Sequence, residues 1–302
     1  MGAGDAEPVL PPLEAQKAVA DALAAMEAKR AQELTVATTK LEDYMGACER
    51  GTVADATKVS RLEAAVKSAG IGRLILSVEL YTPYANSRRG KVGDEGAVAA
   101  ATSASMAGVS ELELDGVGLT SAGIRALEGM FAAGKCPLRK LWARTNGVGD
   151  EGAAEAAKLL AVPDSAPPTA GVVTLDLTKN LIGEVGGLAI ASALVGNCCL
   201  TELMLSQNPI GDETAKALAL AIVGNEDSAV RRLNLSQCSL GDVGATALAE
   251  ALETEGGTEF GTHINALYLG RNAISDVGAA QLADALEDSI NLKELYLGGC
   301  KM

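Results

Sequence analysis

Aromatic side chains are scarce: one Trp, five Tyr and two Phe make up 3% of 302 residues. A core built with so few rings must be aliphatic. Histidine occurs once, at His263, and no His/Cys cluster has metal-ligand spacing, so neither a metal site nor a nucleophile–base pair can be assembled. No metal, cofactor or catalytic residue is expected. Six cysteines are too sparse for a disulfide framework and point to a reducing compartment. Basic residues number 25 against 39 acids, a net charge of −14, and such a chain repels nucleic acid and anionic membrane surfaces. No apolar run approaches the roughly 18 residues that span a bilayer. The opening MGAGDAEPVLPP carries acids where a secretory or organellar leader needs bases. The expectation is an intracellular, cytoplasmic protein with no direct membrane insertion.

What is abundant is small and aliphatic. Hydrophobic residues reach 48%, too many for a disordered chain, and 34 Gly with 54 Ala suit closely stacked elements. A pattern seen as LTELMLSQNPIGD from Leu200 recurs as VSELELDGVGLTS from Val109, LRKLWARTNGVGD from Leu138 and VVTLDLTKNLIGE from Val172. It returns as VRRLNLSQCSLGD from Val230, INALYLGRNAISD from Ile264 and LKELYLGGCKM from Leu292. Successive copies begin 29, 34, 28, 30, 34 and 28 residues apart. The two longer steps read as a 28-residue unit with insertions at Asp164–Ala170 and Glu255–Gly261. A degenerate copy precedes these, with strand residues near 74–81 and a turn into a helix at Val92–Gly96, giving seven clear units plus one.

Each unit has a physical reading. The Leu-x-Leu pair alternates with period two, so both leucines point to one side of a short strand. A small polar residue follows at a fixed step: Asn146, Asn180, Asn208 and Asn272, with Cys238 and Cys300 at the same place. There it can satisfy backbone groups that the bend leaves without ladder partners. Gly-Asp-x-Gly comes next; the Gly makes the bend, and Asp150, Asp212, Asp242 or Asp276 can cap a helix. The helices carry apolar residues three and four apart, as at Ala217, Leu218 and Ile222 or Ala245, Leu248 and Leu252. One unit cannot bury its apolar face, whereas a stack of them makes a continuous core.

This pattern resembles the leucine-rich repeat, and the 28-residue helical unit with its Asn/Cys alternation is similar to the ribonuclease-inhibitor-like class. The resemblance implies an α/β solenoid over residues 71–302, a horseshoe with a parallel inner sheet and outer helices. Members of that family inhibit enzymes, regulate GTPases, sense ligands or hold assemblies together. Residues 1–12 read as a tail and 13–70 as a helical hairpin. The hairpin's first helix carries Val19, Leu23, Met26, Leu34, Leu41 and Met45 at roughly helical spacing, and a new start follows at Gly51-Thr52-Val53-Ala54-Asp55. Such a hairpin either caps the solenoid or forms an arm that grips a partner.

Gly147-Val148-Gly149-Asp150-Glu151-Gly152 matches a dinucleotide fingerprint, but the repeat accounts for it, and two carboxylates there oppose a pyrophosphate. Cys198 and Cys199 read as buried packing at a helix-to-strand joint. Glu111, Glu113 and Asp115 read as a solvated acidic strip. The positions flanking the inward leucines hold three of the eight aromatics, including the single Trp. Lys140, Trp142, Arg144, Met204 and Tyr268 there are candidate partner-binding residues, because Trp, Tyr and Arg dominate binding hot spots. The last unit supplies only its strand, so Leu295, Tyr296 and Leu297 offer an apolar edge for a partner subunit or a second copy. The function expected is a non-catalytic protein–protein interaction module: an adaptor, scaffold or accessory subunit of a larger complex. The alternative is a regulator of an enzyme, similar to a Ran GTPase-activating protein or an enzyme inhibitor.

Overall fold

The computed structural model describes residues 73–77, 93–94, 97–98, 110–132, 138–161, 171–252, 263–289 and 291–301. The tail, the expected hairpin over 13–70 and both insertions lie outside the described residues. Strands β1 (Arg73–Ser77), β2 (Glu111–Asp115), β3 (Lys140–Trp142) and β4 (Thr174–Asp176) are followed by β5 (Glu202–Met204), β6 (Arg232–Asn234), β7 (Ala266–Tyr268) and β8 (Glu294–Tyr296). They form one eight-stranded sheet in chain order. From β2 onward a helix follows each strand but the last: α1 (Ser121–Ala132), α2 (Gly149–Lys158), α3 (Glu184–Leu194), α4 (Gly211–Val223), α5 (Asp242–Leu252) and α6 (Asp276–Asp288). All pairings are parallel, and their register aligns equivalent unit positions, so Leu141, Leu175, Leu203, Leu233 and Leu267 form one row across the sheet. A parallel sheet with alternating helices fits a leucine-rich repeat solenoid.

The leucine pairs turn toward the helices. Leu203, Leu205, Leu233 and Leu235 are fully buried with Leu218, Ile222, Leu248 and Leu252 in one continuous core. Ala217, read as core-facing, lies at its margin. Just after each strand from β2 to β8 the chain passes through a residue in the left-handed region: Thr145, Lys179, Gln207, Gln237 and Arg271 have φ of 56–59°, with Gly116 and Gly299 at the same position in the units of β2 and β8. Five of these seven are not glycine, so the bend carries strain that neighbouring contacts must hold.

The ladder residues hold it. Asn208 is fully buried; its Oδ1 accepts from the N–H of Asn180 (2.8 Å) and Ile182 (3.1 Å), and its Nδ2 donates to the carbonyls of Leu177 (2.8 Å) and Leu205 (2.9 Å). Asn146 and Asn272 repeat this two-way arrangement. Asn180 keeps the donor half, to the Ala143 carbonyl at 2.8 Å, but its buried Oδ1 receives no donor. Cys238 fills an Asn place with a thiol that donates to the Leu205 carbonyl at 3.2 Å, and burial pushes its pKa up to about 12.

The aspartates cap across the stack rather than within a unit. Asp150 lies in α2, yet its Oδ1 accepts from Gly183 N (2.6 Å) and Gly186 N (3.0 Å) at the start of α3. Asp212 of α4 does the same for Gly241 and Gly244 ahead of and within α5, and Asp242 of α5 for Ser275 and Gly278 at the start of α6. The glycine in the first turn of α3, α5 and α6 is explained by this reach. A Cβ on Gly244 would stand 2.5 Å from Asp212 Oδ1, and one on Gly278 would stand 2.7 Å from Asp242 Oδ1.

Candidate protein-interaction face

The side of the sheet away from the leucines carries three side-chain columns, one for each position flanking the leucine pair. Register places Glu113, Trp142, Asp176, Met204, Asn234, Tyr268 and Tyr296 side by side in the central column. Of the sequence candidates, Trp142, Met204, Tyr268 and Tyr296 are thus brought into one column. Lys140 and Arg144 flank Trp142 in the columns to either side. Trp142, Met204 and Tyr268 are half-buried, and Tyr296 is 54% exposed. The Tyr296 ring lies over backbone that lacks side chains, since a Cβ on Gly270 would meet it at 2.5 Å and one on Gly298 at 2.8 Å. Tyr268 donates its hydroxyl to Glu294, which raises the phenol's pKa.

The acids of β2 are not a solvated strip. Glu111 pairs with Lys140 at 2.8 Å. Arg144 Nε donates to Asp115 at 2.7 Å, its Nη2 lies 3.3 Å from Glu113, and its Nε lies 3.8 Å from Asp176 on β4. One guanidinium therefore serves three carboxylates, and its pKa is raised, chiefly by the hydrogen bond to Asp115. Asp176 is buried, and loss of solvation raises its carboxyl's pKa despite a hydrogen bond from Thr178 N (2.9 Å). Lys140 Nζ also stands 5.8 Å from the centre of the Trp142 ring, within cation–π range. Farther along, Arg232 reaches Glu202 at 3.6 Å.

The sequence reading took Lys140 and Arg144 as cations ready for a partner, and the structure shows both paired within the chain. Glu113, Asp115 and Asp176 stand among the same positions flanking the leucines, and what the sequence reading lacked is their shared pairing with Arg144. The signal was present: superposing the units puts Asp115 beside Arg144 and Glu111 beside Lys140.

Among the described residues strand β8 pairs only with β7, and Leu295 and Leu297 there are half-buried against the core. At the Gly147–Gly152 turn the Asp150 carboxylate is occupied in capping α3. Cys199 is buried and Cys198 half-buried, their sulfurs 3.9 Å apart. Among the described residues no group of three or more His, Cys, Asp or Glu is placed to hold a metal, and no helix is long and apolar enough to cross a membrane.

A family model described as Leucine Rich repeat matches residues 196–219, 229–249 and 262–283, which correspond to the units of β5 to β7. Leucine-rich repeats are thus present across residues 196–283, within the regular part of the stack. No curated protein matches the chain.

Proposed function

We propose that this chain is a non-catalytic protein–protein interaction module that receives its partner on the open face of the sheet, as an adaptor, scaffold or accessory subunit of a larger complex. The observation that carries the reading is the central column. It sets the single Trp, two Tyr and Met204 along one accessible face, in a chain with 3% aromatics. Amphipathic rings on a rigid sheet bury area at little conformational cost, which is how binding anchors work. Leucine-rich repeats generally serve protein–protein interaction, in keeping with this use.

The 28-residue unit and the Cys238 thiol standing in for an Asn support assignment to the ribonuclease-inhibitor-like class. Residues 13–70 are proposed as a separate helical segment and 71–302 as the solenoid. Retention of the native partner by the full chain tests the docking face. Trp142→Ala should keep the far-UV circular dichroism and weaken retention by about 2 kcal/mol or more, as hot-spot truncations do. Undiminished retention would move the interface elsewhere, to the helices or to the β8 edge at Leu295, Tyr296 and Leu297.

A further inference from the structure

From β2 to β8 the open face holds six carboxylates and three cations in its three columns. Each of the three cations already lies against an acid of a neighbouring strand: Lys140 against Glu111, Arg144 against Asp115 and Arg232 against Glu202. An acidic partner would have to displace these pairs and would meet the surplus negative charge. The surplus is concentrated where Arg144 alone serves three carboxylates, directly beside Trp142. In the central column Trp142 stands between Glu113 and Asp176, and Lys140 Nζ at 5.8 Å from the ring centre shows that a cation can occupy its surroundings. An indole flanked by carboxylates attracts a cation in two ways, by ring quadrupole and by charge.

We infer that the occupant of this face is a cationic protein segment, with Lys or Arg side chains lying along the central column and one of them over Trp142. The inference rests on the reading of this face as the docking surface and names the partner's chemistry. Complementary charge sets which partner is accepted and how fast it arrives. Burial raises the Asp176 carboxyl's pKa in the free chain, and an arriving guanidinium would reverse that pressure.

Labelled oligoarginine and oligoglutamate are the probes, titrated against the full chain at physiological salt. Two triple variants carry the same net charge. The first removes three open-face charges by Asp176→Asn, Glu202→Gln and Glu294→Gln. The second removes three exposed charges on α4, α5 and α6 by Glu213→Gln, Glu250→Gln and Asp284→Asn. Oligoarginine binding should fall about tenfold or more in the first and less than about twofold in the second, because only near charges escape screening. Oligoglutamate should not bind. Equal loss in both variants would mean attraction by net charge alone and would overturn the inference, as would binding of oligoglutamate. Unfolding midpoints of both variants establish that the fold is intact. If the native partner is lost by Trp142→Ala while oligoarginine ignores the open-face variant, the cationic inference falls and the docking face stands. If neither Trp142→Ala nor the open-face variant releases the native partner, the docking face itself falls.

Discussion

Replacing Asn208 by alanine strips a fully buried side chain of four well-placed hydrogen bonds. Two backbone N–H groups, of Asn180 and Ile182, then lose their acceptor, and the carbonyls of Leu177 and Leu205 lose a donor. Each buried group left unpaired costs about 1–3 kcal/mol, and the carbonyls suffer less because a second lone pair remains. The two N–H groups alone therefore set the loss at about 2–6 kcal/mol. Asn180 provides the internal comparison. It has the same size and burial, but its Oδ1 receives no donor, so Asn180→Ala removes only the donor half. Cavity terms nearly cancel between the two, and Asn208→Ala should cost about 2 kcal/mol more than Asn180→Ala. Asn208→Cys should fall between wild type and Asn208→Ala, because a thiol at Cys238 already donates to the equivalent carbonyl. Urea unfolding reads all three, by far-UV circular dichroism for the whole stack and by fluorescence of the single Trp142 on β3. Equal costs for the two alanine variants would refute the two-way role assigned to the ladder. A cysteine variant as damaged as the alanine one would refute the substitution logic at Cys238.

Three other outcomes are expected. Asp212→Ala should cost about 1 kcal/mol, with amide exchange accelerated at Gly241 and Gly244 of the next unit. Asp212→Asn, which keeps Oδ1, should restore most of that protection, and loss confined to α4 would contradict the cross-unit cap. Asp176→Asn should raise the thermal midpoint at neutral pH. Because the folded-state pKa of Asp176 is raised, the folded chain favours the protonated form, so this group's contribution to stability improves as pH falls through its folded pKa toward its unfolded one. The advantage of the variant should therefore shrink through the same window, and a pH-independent difference would assign it to packing. Leu205→Ala should cost about 2–5 kcal/mol, and an unchanged unfolding midpoint would mean the strand register is misassigned.

The leucine rows and the Asn and Cys ladder were legible in the sequence, because a residue that recurs every unit must do the same job every unit. Asn146, Asn180, Asn208 and Asn272 are all buried where the period put them. The destination of the aspartates was not legible. Asp212 is next to Gly211 in sequence, but its carboxylate reaches residues 29 and 32 positions on, a contact created only when units stack. The left-handed bend at Gln207, Gln237 and Arg271 was also hidden, since polar side chains stand where a turn of that sign ordinarily selects glycine. On the open face the residue types pointed to binding, but the charge state of the surface depended on pairs between strands. Arg144 read alone is a free cation; beside Asp115, Glu113 and Asp176 it is the minority charge in an acidic patch.

The Asn ladder lies in the stretch from strand to helix, and the cross-unit Asp lies in the first turn of the helix that follows. The stretch from strand to helix is five to seven residues long in the units of α1 to α6, whereas the return from helix to strand ranges from five to fifteen. An added residue before the helix would move an Asn or an Asp off its partners in the adjoining unit. One added after the helix disturbs neither. Mutational drift can therefore lengthen this protein along only one rim. The same rim is the place to graft a peptide, a tag or a reporter domain, at the sequence insertions Asp164–Ala170 and Glu255–Gly261.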